Sequence, residues 1–335
     1  MTVHELAYVE LYVHDRPAAV EYLVSSFGFV EAGHCDGTDS GSTFLRQSQV
    51  GLVVTSGPAT EGFLAEHGDG IVDIAFVCAD VAAVRDAAVA AGSELLGPAT
   101  VSGIGGLRHT LVPRTGDSGF PDGRAWIGVP SGGSPRPAQR ISEIDHFAVC
   151  VEAGALDKAA DFYCEAFGLK RYHSEYVAVG EQAMDSVVVR DASGTVTFTI
   201  LAPDATKKPG QVDAFLERNG GAGVQHVAFL VDDIVGSVRE FRSRGVAFLS
   251  TPDSYYDMLA ARVGELSEAV ADLRDTHVLA DRDEWGYLLQ LFSRSPYVRN
   301  TLFFELIQRR GAQGFGTANI RALYEAVERD RVAAG

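Results

Sequence analysis

Residues 68–77 read GDGIVDIAFV, and residues 221–230 read GAGVQHVAFL. Both segments alternate apolar residues with others, as half-buried β-strands do, and each is followed by a stretch with the apolar spacing of an amphipathic helix. We predict these helices around Val81–Ala91 and Ile234–Arg244. The chain therefore contains an internal repeat, and a repeat of this kind constrains the whole fold.

A second pair of segments extends the repeat to the start of each half. Residues 5–13 read ELAYVELYV and residues 143–151 read EIDHFAVCV, again with the alternation of strands. Each leads into a helix-like stretch, at 18–27 or 156–167, that ends in Phe-Gly, a common helix stop. Each half is therefore predicted to contain two similar units, each made of a strand, a helix and further strands. This pattern predicts an α+β fold.

A segment rich in Pro, Gly and Ser separates the two halves. Residues 130–137 read PSGGSPRP, a composition typical of a linker. We therefore place an N-terminal domain at residues 1–130, a linker at 131–142 and a C-terminal domain at 143–335. Two such halves with paired βαβββ units resemble the vicinal-oxygen-chelate superfamily. That resemblance implies tandem βαβββ modules that form two cupped-sheet domains, with a metal on the inner face of a sheet.

Composition limits the classes of partner. The 335 residues are 46% hydrophobic, enough for two packed cores, and their net charge of −17 would repel nucleic acid and anionic membranes. No apolar run approaches the length of a membrane span. The four cysteines have no CxxC spacing, so we expect reduced thiols in a cytoplasmic protein.

Two of the nine histidines occupy equivalent places in the repeat. His146 and His226 each lie early in a predicted strand of the second half, and their counterparts in the first half are Tyr8 and Asp73. The first half therefore lacks the pair, and we expect it to hold no metal. The seven other histidines are expected in surface or hydrogen-bonded roles: His4, His14, His34, His67, His109, His173 and His277.

A third ligand is expected from a later strand. Residues 301–309 read TLFFELIQR, and alternation places Glu305 on the same face as Phe303 and Ile307, where an unpaired carboxylate is costly to bury. The counterpart region near Thr110 has no acid. Two imidazoles and one carboxylate suit a non-haem Fe(II) with open coordination positions. Zinc is the alternative metal and would imply hydrolysis, although the chain has no HExxH helix.

Several motifs then resemble one family, the 4-hydroxyphenylpyruvate dioxygenases. They are VQH at 224–226, YLLQLF at 287–292, FFELIQR at 303–309, GFG at 314–316 and NIRALYEA at 319–326. The resemblance covers nearly the whole chain and is strongest from His146 onward. It implies an Fe(II) enzyme that uses O₂ on a small aromatic 2-oxo acid.

Two departures from the family pattern bear on the product. Residues 199–203 read TILAP where the dioxygenase usually has Pro-Ile/Leu-Asn-Glu-Pro, and residues 318–320 read ANI where Gly-Asn-Phe is usual. Both changes resemble the branch that hydroxylates the benzylic carbon, 4-hydroxymandelate synthase. That branch would feed peptide-antibiotic biosynthesis. The alternative is neutral drift at the pocket edge in an enzyme that forms homogentisate.

The resemblance also assigns a set of pocket residues. In catalytic roles it implies Gln290, Ser186 and Gln225; in substrate contact it implies Gln211, Thr199, Leu201, Phe292, Phe303, Phe315, Asn319 and Ile320. Gln290 stands between apolar neighbours, where a buried amide needs a partner, although Ser186 and Gln211 fit turn or surface roles nearly as well. A Gly-rich loop and a C-terminal helix, residues 318–329, are expected to close the site against water.

Two other classes share this fold. Antibiotic-sequestering proteins bind a ligand in the same cup without metal, and the set of His146, His226 and Glu305 argues against them. Extradiol ring-cleaving dioxygenases have the same three ligands but act on catechols and need a further acid near the iron. Family members commonly associate through the metal-free half, so the resemblance allows a homo-oligomer, although the sequence does not fix the oligomeric state.

Overall fold

The computed structural model describes residues 3–114, 119–130, 139–316, 319 and 321. Each half of the chain forms one curved, mixed sheet that is flanked by helices. The sequence prediction of an α+β fold with two cupped sheets is therefore confirmed.

The N-terminal half builds a sheet of nine strands in the order β6-β7-β8-β5-β1-β4-β3-β2-β9. Its elements are β1 (Val3–Tyr12), α1 (Arg16–Ser25), β2 (Val30–Asp36), β3 (Gly41–Gln47), β4 (Val50–Ser56), a 3₁₀ turn (Pro58–Thr60), α2 (Glu61–His67), β5 (Gly70–Cys78), α3 (Val81–Ala90), β6 (Leu95–Gly97), β7 (Thr100–Ser102), β8 (Arg108–Pro113) and β9 (Ile127–Gly128).

The C-terminal half builds a sheet of eight strands in the order β11-β12-β13-β10-β14-β17-β16-β15. Its elements are β10 (Ile141–Cys150), α4 (Leu156–Phe167), β11 (Lys170–Val179), β12 (Gln182–Arg190), β13 (Thr197–Pro203), α5 (Gln211–Asn219), β14 (Gly223–Val231), α6 (Ile234–Ser243), α7 (Asp253–Asp257), α8 (Leu259–Val263), α9 (Val270–Thr276), β15 (Leu279–Arg282), β16 (Tyr287–Phe292) and β17 (Phe303–Arg310).

The repeat seen in the sequence extends to local backbone detail. In both halves the central antiparallel pair, β1 with β5 or β10 with β14, has register shifts at equivalent places. The helices that follow β5 and β14 also begin alike, because the Asp80 and Asp233 side chains accept from the backbone N–H three residues on. The paired βαβββ units thus fold in the same way in both halves.

The two halves share one core. Phe27, two residues beyond the end of α1, packs against Phe229, Phe241 and Phe304 of the C-terminal half, with ring centroids 5.2–6.2 Å apart. The strand β10 begins at Ile141, inside the stretch 131–142 that the sequence predicts as a linker; residues 131–138 lie outside the described part of the chain. Among the described helices, none combines the length and apolar character that crossing a membrane requires.

Candidate metal centre and active site

His146, His226 and Glu305 meet on one face of the C-terminal sheet. They lie on β10, β14 and β17, which are neighbours in the sheet, and the register pairs His146 and Glu305 with the same residue of β14, Ala228. Glu305 Oε2 lies 3.3 Å from His146 Nε2 and 3.2 Å from His226 Nε2. All three side chains are buried, and one potential ligand atom of each lies within 4.8 Å of the others.

Neighbouring side chains orient both imidazoles. His146 Nδ1 lies 2.8 Å from Asp145 Oδ1, and His226 Nδ1 lies 3.2 Å from Gln225 Oε1. Carboxylate and amide oxygens can only accept, so each Nδ1 donates and each Nε2 is left to bind a cation. Gln225 therefore orients the His226 imidazole.

The charges of the site are arranged for a cation. Burial lowers the pKa of His146, but the Glu305 and Asp145 carboxylates outweigh it and raise that pKa to about 9. Burial lowers the pKa of His226. Burial alone would raise the pKa of Glu305, but the two imidazoles hold it below its usual value. A positive charge is thus stabilised beside Glu305, where a divalent cation can replace the imidazole proton.

An unpaired carboxylate oxygen of Glu305 indicates whether a metal ion fits this site. Glu305 Oε1 is buried and has no hydrogen-bond partner among the described residues, an arrangement that is costly for a carboxylate oxygen. A cation bound to Glu305 would remove that cost. Two imidazole nitrogens and a carboxylate form a donor set that suits Fe(II) and also Zn²⁺. The residues present therefore fit a metal ion.

A cavity adjoins these three side chains, and most of the predicted pocket residues line it. Its other lining residues are Met184, Thr199, Leu201, Gln211, Gln225, Gln290, Phe292 and Phe315. The Thr199 Oγ1 atom is buried there without a partner among the described residues, so a ligand oxygen can hydrogen-bond to it. Gln290 Oε1 accepts from Asn319 Nδ2 at 3.2 Å, which leaves the Gln290 amino group as a donor.

Three other predicted residues, Phe303, Asn319 and Ser186, do not line this cavity. Phe303 stacks on His226 with centroids 4.9 Å apart, and Asn319 reaches the site through Gln290. The Ser186 hydroxyl donates to the Glu175 carbonyl oxygen at 3.0 Å. Ile320 and most of the predicted closing helix, residues 318–329, lie outside the described residues.

The equivalent place in the N-terminal half is filled by an ion-pair network. Tyr8 and Asp73 occupy the positions of the two histidines. The Asp73 carboxylate accepts from Thr110 N at 3.0 Å, from Thr110 Oγ1 at 2.6 Å and from Arg108 Nε at 3.3 Å. Arg108 also donates to buried Glu10 at 2.9 Å. Hydrogen bonds within the protein thus occupy the oxygens that would otherwise face a cation.

Comparison with known proteins agrees with this geometry. Residues 143–291 match the model of the Glyoxalase/Bleomycin resistance protein/Dioxygenase superfamily. Two curated proteins named 4-hydroxyphenylpyruvate dioxygenase, from Aspergillus fumigatus and Dictyostelium discoideum, are each 30% identical to this chain over 98% of its length, and the matches cover 93% and 98% of those proteins. The chain belongs to the 4-hydroxyphenylpyruvate dioxygenase family.

A solved structure is also similar to this chain. It is a mutant of 4-hydroxymandelate synthase from Streptomyces coelicolor, 51% identical to this chain, with a TM-score of 0.90. The match covers 98% of this chain and 99% of that one. The similarity therefore spans both halves of the chain.

Sequence reasoning missed two groups beside the site of this 4-hydroxyphenylpyruvate dioxygenase family member. Asp145 contacts His146, and Arg309 forms a two-pronged ion pair with Asp145 at 2.6 and 2.7 Å. The two residues are far apart in the chain and meet only because β10 and β17 flank β14. The sequence signal for Asp145 is its place directly before His146, a candidate metal ligand. Arg309 stands in the quoted motif FFELIQR.

Proposed function

We propose that this chain converts 4-hydroxyphenylpyruvate and O₂ to 4-hydroxymandelate and CO₂ with Fe(II). The observation that carries the proposal is the 51% identity to 4-hydroxymandelate synthase over 98% of the chain, against 30% for the relatives named dioxygenase. The buried triad of His146, His226 and Glu305 supports a metal-dependent reaction. Two substrate oxygens, those of the keto and carboxylate groups, can bind the metal together.

Fe(II), when bound, would supply a binding place for the 2-oxo acid and for O₂ and the electrons that reduce O₂. The protein supplies orientation. Thr199 and Gln290 offer a hydroxyl and an amino group to substrate oxygens, and Leu201 and Phe292 give the aromatic ring an apolar wall. The side chains of His146, Gln290 and Glu305 are themselves buried, which limits the contact of the reacting groups with bulk water.

The pocket wall supports benzylic rather than ring hydroxylation. Leu201 lies on β13 in register with Cys150 of β10 and lines the cavity, where the usual dioxygenase pattern places an amide-bearing Asn. An apolar side chain cannot hydrogen-bond to the substrate, so Leu201 offers the ring a packing surface without a polar contact. Small changes in the placement of a reacting carbon have large effects on rate, so a ring that packs differently against Leu201 would bring the CH₂ group, rather than a ring carbon, next to the metal site.

Formation of homogentisate is the second candidate, because the relatives from Aspergillus fumigatus and Dictyostelium discoideum are named 4-hydroxyphenylpyruvate dioxygenase. Both products have the same mass. The three metal ligands and the cavity are compatible with either reaction, so the product itself must be identified.

Product analysis tests the proposal. The protein is incubated with Fe(II), ascorbate, O₂ and 4-hydroxyphenylpyruvate, and the products are separated by liquid chromatography against standards of both isomers. We expect 4-hydroxymandelate, and Glu305→Gln should form no product. Homogentisate as the main product would overturn the synthase assignment while leaving the family assignment intact.

A further inference from the structure

The segment that follows β17, residues 311–316, is held in place from one side by a carboxylate. We call this segment the strap. Asp283 Oδ2 accepts from the backbone N–H groups of Gln313 and Gly314, both at 2.7 Å, while Oδ1 accepts from the N–H groups of Trp285 and Gly286 at 2.9 Å. One side chain therefore ties the strap to the turn between β15 and β16.

Arg309 holds the strap from the other side. Its Nη1 donates to the carbonyl oxygens of Gly314 at 2.7 Å and Ala312 at 3.3 Å. Its guanidinium carbon also lies 5.1 Å from the centre of the Phe315 ring, within range of a cation–π contact. Arg309 thus contacts the strap in two ways, through two backbone carbonyl groups and through the Phe315 ring.

The same guanidinium reaches the metal centre. Arg309 Nε and Nη2 bind the two carboxylate oxygens of Asp145, whose Oδ1 accepts from His146 Nδ1 at 2.8 Å. The Phe315 ring in turn meets the His146 ring edge-on, with centroids 5.2 Å apart. His146, Asp145, Arg309 and Phe315 therefore form a closed circuit of contacts that includes one metal-ligand candidate and the strap.

The other histidine has a different partner. His226 Nδ1 contacts the neutral Gln225 amide. His146 Nδ1 instead contacts the Asp145 carboxylate, which is paired with the Arg309 guanidinium. Burying such an ion pair does not in itself stabilise a fold more than apolar residues of similar volume would. A planar guanidinium, unlike an ammonium, can bind a carboxylate with two nitrogens and still donate elsewhere with the third. The circuit uses all three nitrogens in this way.

We propose that Arg309 is a positioning residue that couples the orientation of His146 to the strap. The inference rests on the proposed metal centre and goes beyond it. When a cation binds, it fixes the His146 ring, and Asp145 and Arg309 transmit this restraint to the carbonyl groups of Ala312 and Gly314. Coupling is reciprocal, so a strap held by Arg309 also strengthens cation binding.

Two measurements on the full chain test this coupling with Co(II), which is stable in air and gives a visible spectrum. The first is the Co(II) affinity of the metal-free protein. The second is amide hydrogen exchange of residues 312–314 with and without Co(II). In the wild type we expect Co(II) to slow this exchange. Arg309→Met should weaken Co(II) binding about 10–100-fold, the usual effect of losing an outer contact to a metal ligand, and should abolish the slowing.

Two further variants make the result decisive. Arg309→Lys keeps a positive charge near Asp145 but cannot span to the strap, so we expect intermediate Co(II) affinity and no slowing of exchange. Arg140→Met removes a partly buried Arg–carboxylate pair with Glu240, away from the site, and should change neither measurement.

A purely structural role would give a different pattern, with faster exchange in the variants both with and without Co(II) but an unchanged difference between the two. That pattern, or wild-type Co(II) affinity in Arg309→Met, would overturn the inference. If Arg309→Met does not fold, retention of the slowing in Arg309→Lys would overturn it equally. If the wild type itself binds no Co(II), the metal centre and the proposed function fail.

Discussion

The Glu305 carboxylate contacts both imidazoles through Oε2 and leaves Oε1 buried without a protein partner. Glu305→Gln replaces the anion with a neutral amide of the same shape. We expect divalent-metal affinity to fall by at least about 100-fold, more than the loss of an outer contact would cause. Isothermal titration with Co(II) measures this change. Glu268→Gln, which alters a carboxylate bonded to Gln308 of the same strand, should bind normally; equal affinities would contradict the ligand assignment.

A second prediction at the residue scale concerns Leu201. It lines the cavity beside the metal ligands, and Leu201→Asn would introduce an amide that can hydrogen-bond to the substrate. We expect the share of homogentisate among the products to rise, because the ring would be held at a different angle. Leu201→Ile keeps the wall apolar and should leave the product ratio unchanged. The ratio of homogentisate to 4-hydroxymandelate is measured by chromatography. An unchanged ratio in Leu201→Asn would argue against a role of Leu201 in product choice.

Sequence alone could identify residues whose role follows from their position in a repeat or a strand. His146 and His226 stand at equivalent strand positions, and Glu305 stands on an apolar face; the structure brings the three together. The contact between Asp145 and Arg309 could not be predicted, because the pair has no characteristic spacing and depends on strand order. The Ser186 hydroxyl illustrates the same limit, since its contact with the Glu175 carbonyl depends on the pairing of β11 with β12.

At the scale of elements, the strap shows how one backbone position controls the pocket. Gly316 has a φ of +74°, and a Cβ added there would overlap Gln290 Oε1 and come within 3.2 Å of Asn319 Cβ. Gly316→Ala should therefore strain the backbone and displace the Gln290 amide from the cavity. We expect kcat/KM to fall about 10–100-fold, since a misplaced binding group of about 1 Å can cost that much.

Gly314 provides the matched control in the same segment. A Cβ added there would meet Asp283 Oδ2 at 3.3 Å, a close contact that lies away from Gln290. Steady-state kinetics of Gly314→Ala should therefore stay within a few-fold of the wild type. Equal losses in Gly314→Ala and Gly316→Ala would show that the strap tolerates no side chain at all, and that the contact with Gln290 is not the cause.

The repeated elements explain why the fold was more predictable than the site. Register shifts at equivalent places in β1 and β10, and Asp caps before α3 and α6, are local features that each repeat copies in its own sequence. The boundary between the halves was harder, because β10 starts at Ile141, before the alternation that marked the strand. Composition shows where the Pro-rich segment ends. The start of a strand depends instead on where backbone hydrogen-bond partners are available, which composition does not show.

At the scale of the whole molecule, the two halves meet around a histidine. His109 of the N-terminal half is fully buried, stacks on Phe76 with centroids 4.9 Å apart, and meets Phe167 and Tyr163 of the C-terminal half edge-on. Its Nδ1 lies 3.0 Å from the Ile74 carbonyl oxygen. The sequence indicated a surface or hydrogen-bonded role for this residue; alternation along a short strand could not show that a second domain covers it.

This burial makes the stability of the molecule depend on pH. Burial lowers the pKa of His109 from 6.5 to about 4, so between these values the unfolded chain binds a proton that the folded chain does not. The free energy of unfolding therefore includes a contribution of about 3 kcal/mol above pH 6.5, which is lost as the pH falls through this window toward 4. His109→Phe keeps an aromatic ring in place but cannot titrate.

Urea unfolding of the wild type and of His109→Phe, measured from pH 4.5 to pH 9, isolates this contribution. The variant should be less stable near neutral pH, because the Ile74 carbonyl loses its donor and remains buried. Its free energy of unfolding should nevertheless fall less steeply than that of the wild type below pH 6.5. Above pH 7 the two curves should run parallel, since His109 is neutral in both states. Curves that stay parallel down to pH 4.5 would mean that the contact between the halves opens enough to protonate His109 without unfolding.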